Sequence, residues 1–164
     1  MSMTIRKYGS TVLREKAVEI NKFDAGLIRI VEEMKEAMKQ AAGVGLAAPQ
    51  VGIAKRLFLA TLDEKLYVMI NPKISPLSTD TEIREEGCLS IPGVWVDVER
   101  YVKIKLNAQD INGESVEMEL EGFPARVIQH ELDHLNGVLI IDRITPAERR
   151  KLAEQLEEIK KTVS

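Results

Sequence analysis

The pentapeptide His130-Glu131-Leu132-Asp133-His134 holds both histidines of the 164-residue chain, four positions apart. On an α-helix four positions amount to about 400° of rotation, so the two imidazoles share one face, one turn apart. That spacing lets both rings bind one divalent cation while the adjacent Glu131 reaches a water activated beside it. The chemistry this predicts is metal-assisted hydrolysis, with Glu131 moving the protons. A surface helix with two solvated histidines is the alternative, and it leaves the spacing and the glutamate to chance.

Two rings do not complete a catalytic metal site, which generally takes three protein ligands and keeps one position open. Cys88, the only cysteine, is the candidate third ligand, in Glu86-Gly87-Cys88-Leu89-Ser90. A thiolate suits zinc or iron, and coordination deprotonates it outright. Taken alone, a free cysteine is more often core filler. The need for a third ligand and the flanking Glu-Gly turn the reading toward the metal. One thiol forms no internal disulfide, which fits a reducing compartment with the cytoplasm as default.

The elements that must position these groups are legible from periodicity. Leu27, Ile30, Val31, Met34, Ala37, Met38 and Ala41 recur at three- and four-residue steps, predicting a helix capped by Asp24 and broken by Gly43. Residues 43–52, rich in Gly and Pro, read as an ordered loop. Strands are expected over 56–61 and 66–70, the second ended by Asn71-Pro72. Val102, Ile104 and Leu106, then Val116, Met118 and Leu120, alternate with charged residues and predict an antiparallel hairpin through Asn112-Gly113.

The histidine helix should occupy about 124–136, with Pro124 in its first turn and Asn136-Gly137 at its end. Thr145-Pro146-Ala147-Glu148 reads as a capping box opening a last helix striped by Leu152, Leu156 and Ile159. With no repeat or linker, residues 1–164 are expected to form a single α+β domain. Its antiparallel or mixed sheets should pack around a central metal-binding helix, with an amphipathic helix at the C-terminus. A net charge of -3 with interspersed signs gives no reason to expect nucleic acid. The start, Met1 to Lys7, has no apolar run of a signal peptide, and no stretch approaches the roughly 20 apolar residues that span a bilayer.

Three segments together carry a family resemblance: Gly43-Val44-Gly45-Leu46-Ala47-Ala48-Pro49-Gln50, Glu86-Gly87-Cys88-Leu89-Ser90, and Gln129-His130-Glu131-Leu132-Asp133-His134-Leu135-Asn136-Gly137. In this order and separation the chain resembles the peptide deformylases over nearly its whole length, Asn71-Pro72 and Arg100 included. Tyr8-Gly9-Ser10 departs from the family, where many relatives have proline followed by aspartate or histidine. The resemblance implies that Cys88, His130 and His134 bind one divalent metal, iron(II) in the native enzyme, with zinc, nickel or cobalt able to replace it. It implies Glu131 as general acid and base, and Gln50 with the Leu89 backbone N–H as donors to the developing oxyanion. It implies a hydrolase that releases formate from the N-formylmethionine of new polypeptides, a monomer that meets nascent chains near the ribosome.

A methionine side chain needs apolar walls, for which Val44, Leu89, Phe123 and Val127 are candidates; as isolated residues such side chains are more often plain core. Gly43 and Gly45 let the backbone approach a peptide, so Val44 and Gly45 could bind substrate main chain as an added strand does. Trp95, in the expected loop after the cysteine motif, either shields the site or packs on a sheet. Gln50 could also simply cap loop backbone.

Rival readings fail on particular residues. A zinc protease with a third histidine past the glycine would need it where Ile140 stands, and one with a downstream glutamate must use Glu154 or Glu157, which a polar helix face already explains. A structural metal module would be closed by four protein ligands and would leave Glu131 idle. Arg149, Arg150, Lys151, Lys160 and Lys161 are interleaved with glutamates, which favours a solvated face over a ribosome-binding patch.

Overall fold

The computed structural model describes residues 3–163; Met1, Ser2 and Ser164 lie outside it. Helix α1 (Ala25–Gln40) starts where expected, the Asp24 carboxylate accepting from Leu27 N–H at 3.0 Å. Its end differs from expectation: Ala42, at φ 55°, makes the left-handed turn, not Gly43. A side-chain carbon at Gly43 would lie 2.9 Å from Leu89 Cδ1, so that glycine serves the contact between the first two motifs.

The expected loop contains a short strand, β1 (Gly45–Ala47), and a 3-10 turn, Ala48–Val51. Strands β2 (Leu57–Leu62) and β3 (Lys65–Pro76) pair through a two-residue turn, Asp63-Glu64, both residues at positive φ as a type I′ hairpin requires. Asn71-Pro72 does not end β3. Register shifts between Ile70, opposite Gln109, and Lys73, opposite Asn107, and the strand runs on along the same partner to Pro76. The irregularity accommodates a proline with no N–H to give the ladder. Asn71, at φ 52°, fills the gap by bonding Ile20 N–H, Ile20 C=O and Gln109 Oε1.

Strands β4 (Thr81–Cys88) and β5 (Ile91–Tyr101), absent from the sequence reading, form a separate two-stranded antiparallel sheet. The hairpin read from alternation is present as β6 (Lys103–Gln109) and β7 (Ser115–Glu121), with Ile104 opposite Leu120 and Leu106 opposite Met118. The larger sheet is antiparallel in the order β1-β2-β3-β6-β7. Helix α2 (Phe123–Leu135) carries the histidines. Gly137 ends it at φ 74°, and a side-chain carbon there would sit 2.7 Å from Arg14 C=O.

Strand β2 explains the layering. Its alternate residues point to opposite faces. Phe58, Ala60 and Leu62 pack with Ala125, Ile128 and Leu135 of α2, while Leu57 and Leu59 pack with Leu27, Val31 and Met34 of α1. A third cluster joins Val94, Val96 and Val98 of β5 to Leu139–Ile141 and to Leu156 and Ile159. Helix α2 therefore lies between the five-stranded sheet and β4–β5. The expected last helix comes in two pieces, α3 (Pro146–Lys151) and α4 (Ala153–Lys161). Thr145 Oγ1 accepts from Glu148 N–H at 3.1 Å, but the Glu148 carboxylate takes the threonine hydroxyl instead of completing a capping box. Among the described residues no helix is long and apolar enough to cross a membrane.

Asp142 ties the N-terminal Arg14 to its own neighbourhood: it accepts from Arg14, from Leu139 N–H at 2.8 Å and from Arg149 at 2.9 Å. Partial burial raises its pKa, but the bonds from Arg14 and Leu139 prevail and hold it below the ordinary carboxylate range. Its contribution is therefore present above the unfolded carboxyl's pKa and fades as pH falls through the lower, folded value. Asp142→Asn should cost about 1–2 kcal/mol near neutrality. In urea denaturation series run downward in pH, the gap from the parent should narrow below about pH 4.

Candidate metal centre

The three ligand candidates arrive on two elements. His130 and His134 lie one turn apart on α2, their ring centroids separated by 5.1 Å. Cys88 ends β4, at a register shift that follows Gly87. Its sulfur lies 3.3 Å from His134 Nε2, and one ligand atom from each of the three residues falls within 4.8 Å of the others. Ligands held about 2.0–2.3 Å from one ion keep spacings of about 3–4 Å from each other, so this donor set lies close to what a single cation requires and needs only a small contraction to meet it. Burial opposes a charged sulfur, yet His134 and His130 facing it hold the Cys88 thiol well below its ordinary range. The group is thus disposed to be a thiolate, the form a metal needs.

One buried carboxylate sets the ring of His130. Glu86 Oε1 lies 2.9 Å from His130 Nδ1, which leaves Nε2 turned to the site. Arg100 grips both Glu86 oxygens, at 3.0 and 2.9 Å, and Arg126 adds a contact at 2.6 Å. Burial works to raise the Glu86 carboxyl, but the bonds from His130 and Arg100 outweigh it and keep the group ionised. Arg100 continues to Asp133 at 2.6 Å, and Asp133 to Arg143 at 2.6 Å.

Glu131, only 3% exposed, turns its carboxylate toward His130 Nε2 at 3.8 Å, and its Oε2 has no protein partner among the described residues. Burial pushes its pKa up, offset only in part by His130 and His134. A buried carboxyl with raised proton affinity and a free oxygen is suited to carry a proton. Gly45 presses on it: a side-chain carbon there would come within 2.9 Å of Glu131 Cδ. Gln50 is buried, its Oε1 accepting from Ala47 N–H at 3.0 Å and its Nε2 lying 3.0 Å from Ser90 Oγ and 3.7 Å from Cys88 Sγ.

Gly45, Gln50, Glu86, Cys88, Arg126, His130 and Glu131 border one cavity of about 490 Å³, with His134 buried behind them. Leu89 and the buried Val127 line its interior, whereas Val44 and Phe123, 51% and 63% exposed, form its rim. Trp95 stands on β5, not in a loop, over Gly87 at the same mouth. Glu154 and Glu157 are exposed on α4, so neither competes with Cys88 as third ligand.

Sequence reading placed neither Arg126, Asp133 nor Arg143 in the site, and gave Glu86 and Arg100 no task. The available signal was the alternation Val94, Val96, Val98, Arg100, which marks a strand with Arg100 on its inner face. Pro92 and Gly93 concealed it by making the stretch look like a loop.

The polypeptide deformylase family model matches residues 2–150. The chain belongs to the polypeptide deformylase family. It is 52% identical over 158 residues to the peptide deformylase of Thermotoga neapolitana, covering 96% of each chain. The crystal structure of the Thermotoga maritima peptide deformylase is 51% identical and superposes with a TM-score of 0.86, over 89% of this chain and 99% of that one. The peptide deformylase of Thermus thermophilus is 41% identical, with a TM-score of 0.90 over 96% and 97% of the two chains. Deformylases are metal-dependent, and the cysteine and paired histidines here could hold such an ion.

Two expectations follow from this geometry. Glu86→Gln removes the charge that fixes His130 and should weaken metal retention about 10–100-fold, read by competition with a chelator. Gly45→Ala should displace the Glu131 carboxyl and lower kcat while the bound-metal content stays unchanged.

Proposed function

We propose that the site removes the formyl group from N-formylmethionyl nascent peptides, with Cys88, His130 and His134 holding one divalent cation and Glu131, Gln50 and Leu89 N–H serving the reaction. What carries this reading is the convergence of one sulfur and two imidazoles beside a cavity that Cys88, His130, Glu131 and Gln50 border. Membership of the family makes the chain a hydrolase. A cation held there supplies Lewis acidity, making water a nucleophile near neutral pH and polarising the formyl oxygen.

The chain's own groups do the rest. Glu131 takes a proton from the attacking water on its unpartnered oxygen, then gives it to the amine as the C–N bond breaks and formate leaves. Gln50 Nε2 and Leu89 N–H donate to the formyl oxygen as negative charge grows on it. Strand β1 lies at the edge of its sheet, so Val44 and Gly45 offer the substrate backbone an unpaired strand edge. The methionine side chain enters between Leu89 and Val127, with Phe123 and Val44 at the rim.

Iron(II) is the native ion in this reading, with zinc, nickel or cobalt as substitutes, because two imidazoles and a thiolate suit all four. Residues 1–164 act as one catalytic domain, monomeric and cytoplasmic, meeting its substrate near the ribosome.

Formylated and unformylated Met-peptides of the same sequence test the proposal directly. Formate should be released from the first alone, without internal cleavage of either. Glu131→Ala should retain the metal and lose turnover by at least about 100-fold, whereas Cys88→Ala should lose the metal. A Glu131→Ala protein with full activity contradicts the proposal.

A further inference from the structure

The amide of a glutamine donor must be held by its other bonds, because its oxygen and nitrogen can exchange places by rotation. Ala47 N–H can be accepted only by Gln50 Oε1, which turns Nε2 toward the site. Ser90 Oγ, in a fully buried side chain, accepts one Nε2 proton at 3.0 Å. The second proton is left facing Cys88 and the cavity.

The distance this bond spans is set by a third segment. Arg6 N–H donates to Gln50 C=O at 2.6 Å, and Tyr8 N–H donates to Ser90 C=O at 2.9 Å. Amides two residues apart on an extended chain point the same way, so one strap pins both residues beside each other.

We infer that Ser90 is a positioning residue, which with the Arg6–Tyr8 strap aims the second Nε2 proton of Gln50, the one facing Cys88 Sγ at 3.7 Å, toward the reacting oxygen. The inference rests on the assignment of Gln50 as oxyanion donor made above. Misplacing a donor by about 1 Å costs on the order of 100-fold, while losing it costs about 100–1,000-fold.

The full-length, zinc-loaded protein and its Ser90→Ala, Gln50→Ala and doubly substituted forms make the test. Ser90→Ala should lower kcat about 10–100-fold, with KM within about 2-fold and zinc content unchanged. In the Gln50→Ala background the same change should cost no more than about 2-fold, because the group it acts through is gone. In ¹H–¹⁵N spectra the Gln50 side-chain pair, identified by its loss in Gln50→Ala, should shift in Ser90→Ala. Ser90→Gly also lacks the hydroxyl and repeats the cycle if the alanine form does not fold. Equal losses in both backgrounds, or an unshifted Gln50 pair, overturn the inference. Full activity of Gln50→Ala would instead overturn the oxyanion assignment itself.

Discussion

A carboxylate taken out of water costs several kcal/mol unless its charge is matched and its lone pairs are filled. Glu86 meets both demands, with Arg100, Arg126 and His130 around its two oxygens. These partners come from β5 and α2, so the cluster clamps the small sheet onto the histidine helix. Cys88 lies only two residues beyond Glu86 on the same strand. Fixing the carboxylate against α2 therefore also fixes where the sulfur meets the rings. Removing any one partner would leave an unmatched buried charge, so the cluster stands or falls as a unit.

The other half of the centre is held by apolar packing. Strand β2 is buried on both faces, between α1 and α2, and it anchors β1 through the Leu46–Leu59 pairing. From β1 the chain passes straight into the turn bearing Gln50. Gly45 lies against Glu131 and Gly43 against Leu89, so the first motif touches both others through positions that have no side chain. The centre thus gathers groups from three segments whose separations are set by two different kinds of force. Ionic pairing fixes Cys88 against His130, and close packing fixes Gln50 and Glu131 against each other.

Much of the helical framework was readable because each helix carries its own signals. Asp24, Pro124 and Thr145 mark starts that hydrogen bonding or a missing N–H makes favourable, and the apolar stripes name the buried faces. The β6–β7 hairpin was readable for the same local reason, its alternation being a direct record of one wet face. Strands β4 and β5 were not, since Gly87, Pro92 and Gly93 resemble turn residues while their actual roles depend on Trp95 and the neighbouring strand. Asn71-Pro72 misled likewise: what looks like a stop is an irregularity whose amide bonds reach Ile20 and Gln109.

By itself the sequence determined that His130 and His134 share a helix face with Glu131 beside them, because helical period converts spacing into direction. It also named Cys88 as the candidate third ligand, being the chain's only thiol. Tertiary structure alone decided that this sulfur, 46 residues before His134, comes to rest 3.3 Å from its ring. It alone revealed that Glu86 orients His130 and that Ser90 receives the amide of Gln50. Those contacts join residues from separate elements, and no local periodicity records a meeting that depends on how the elements pack.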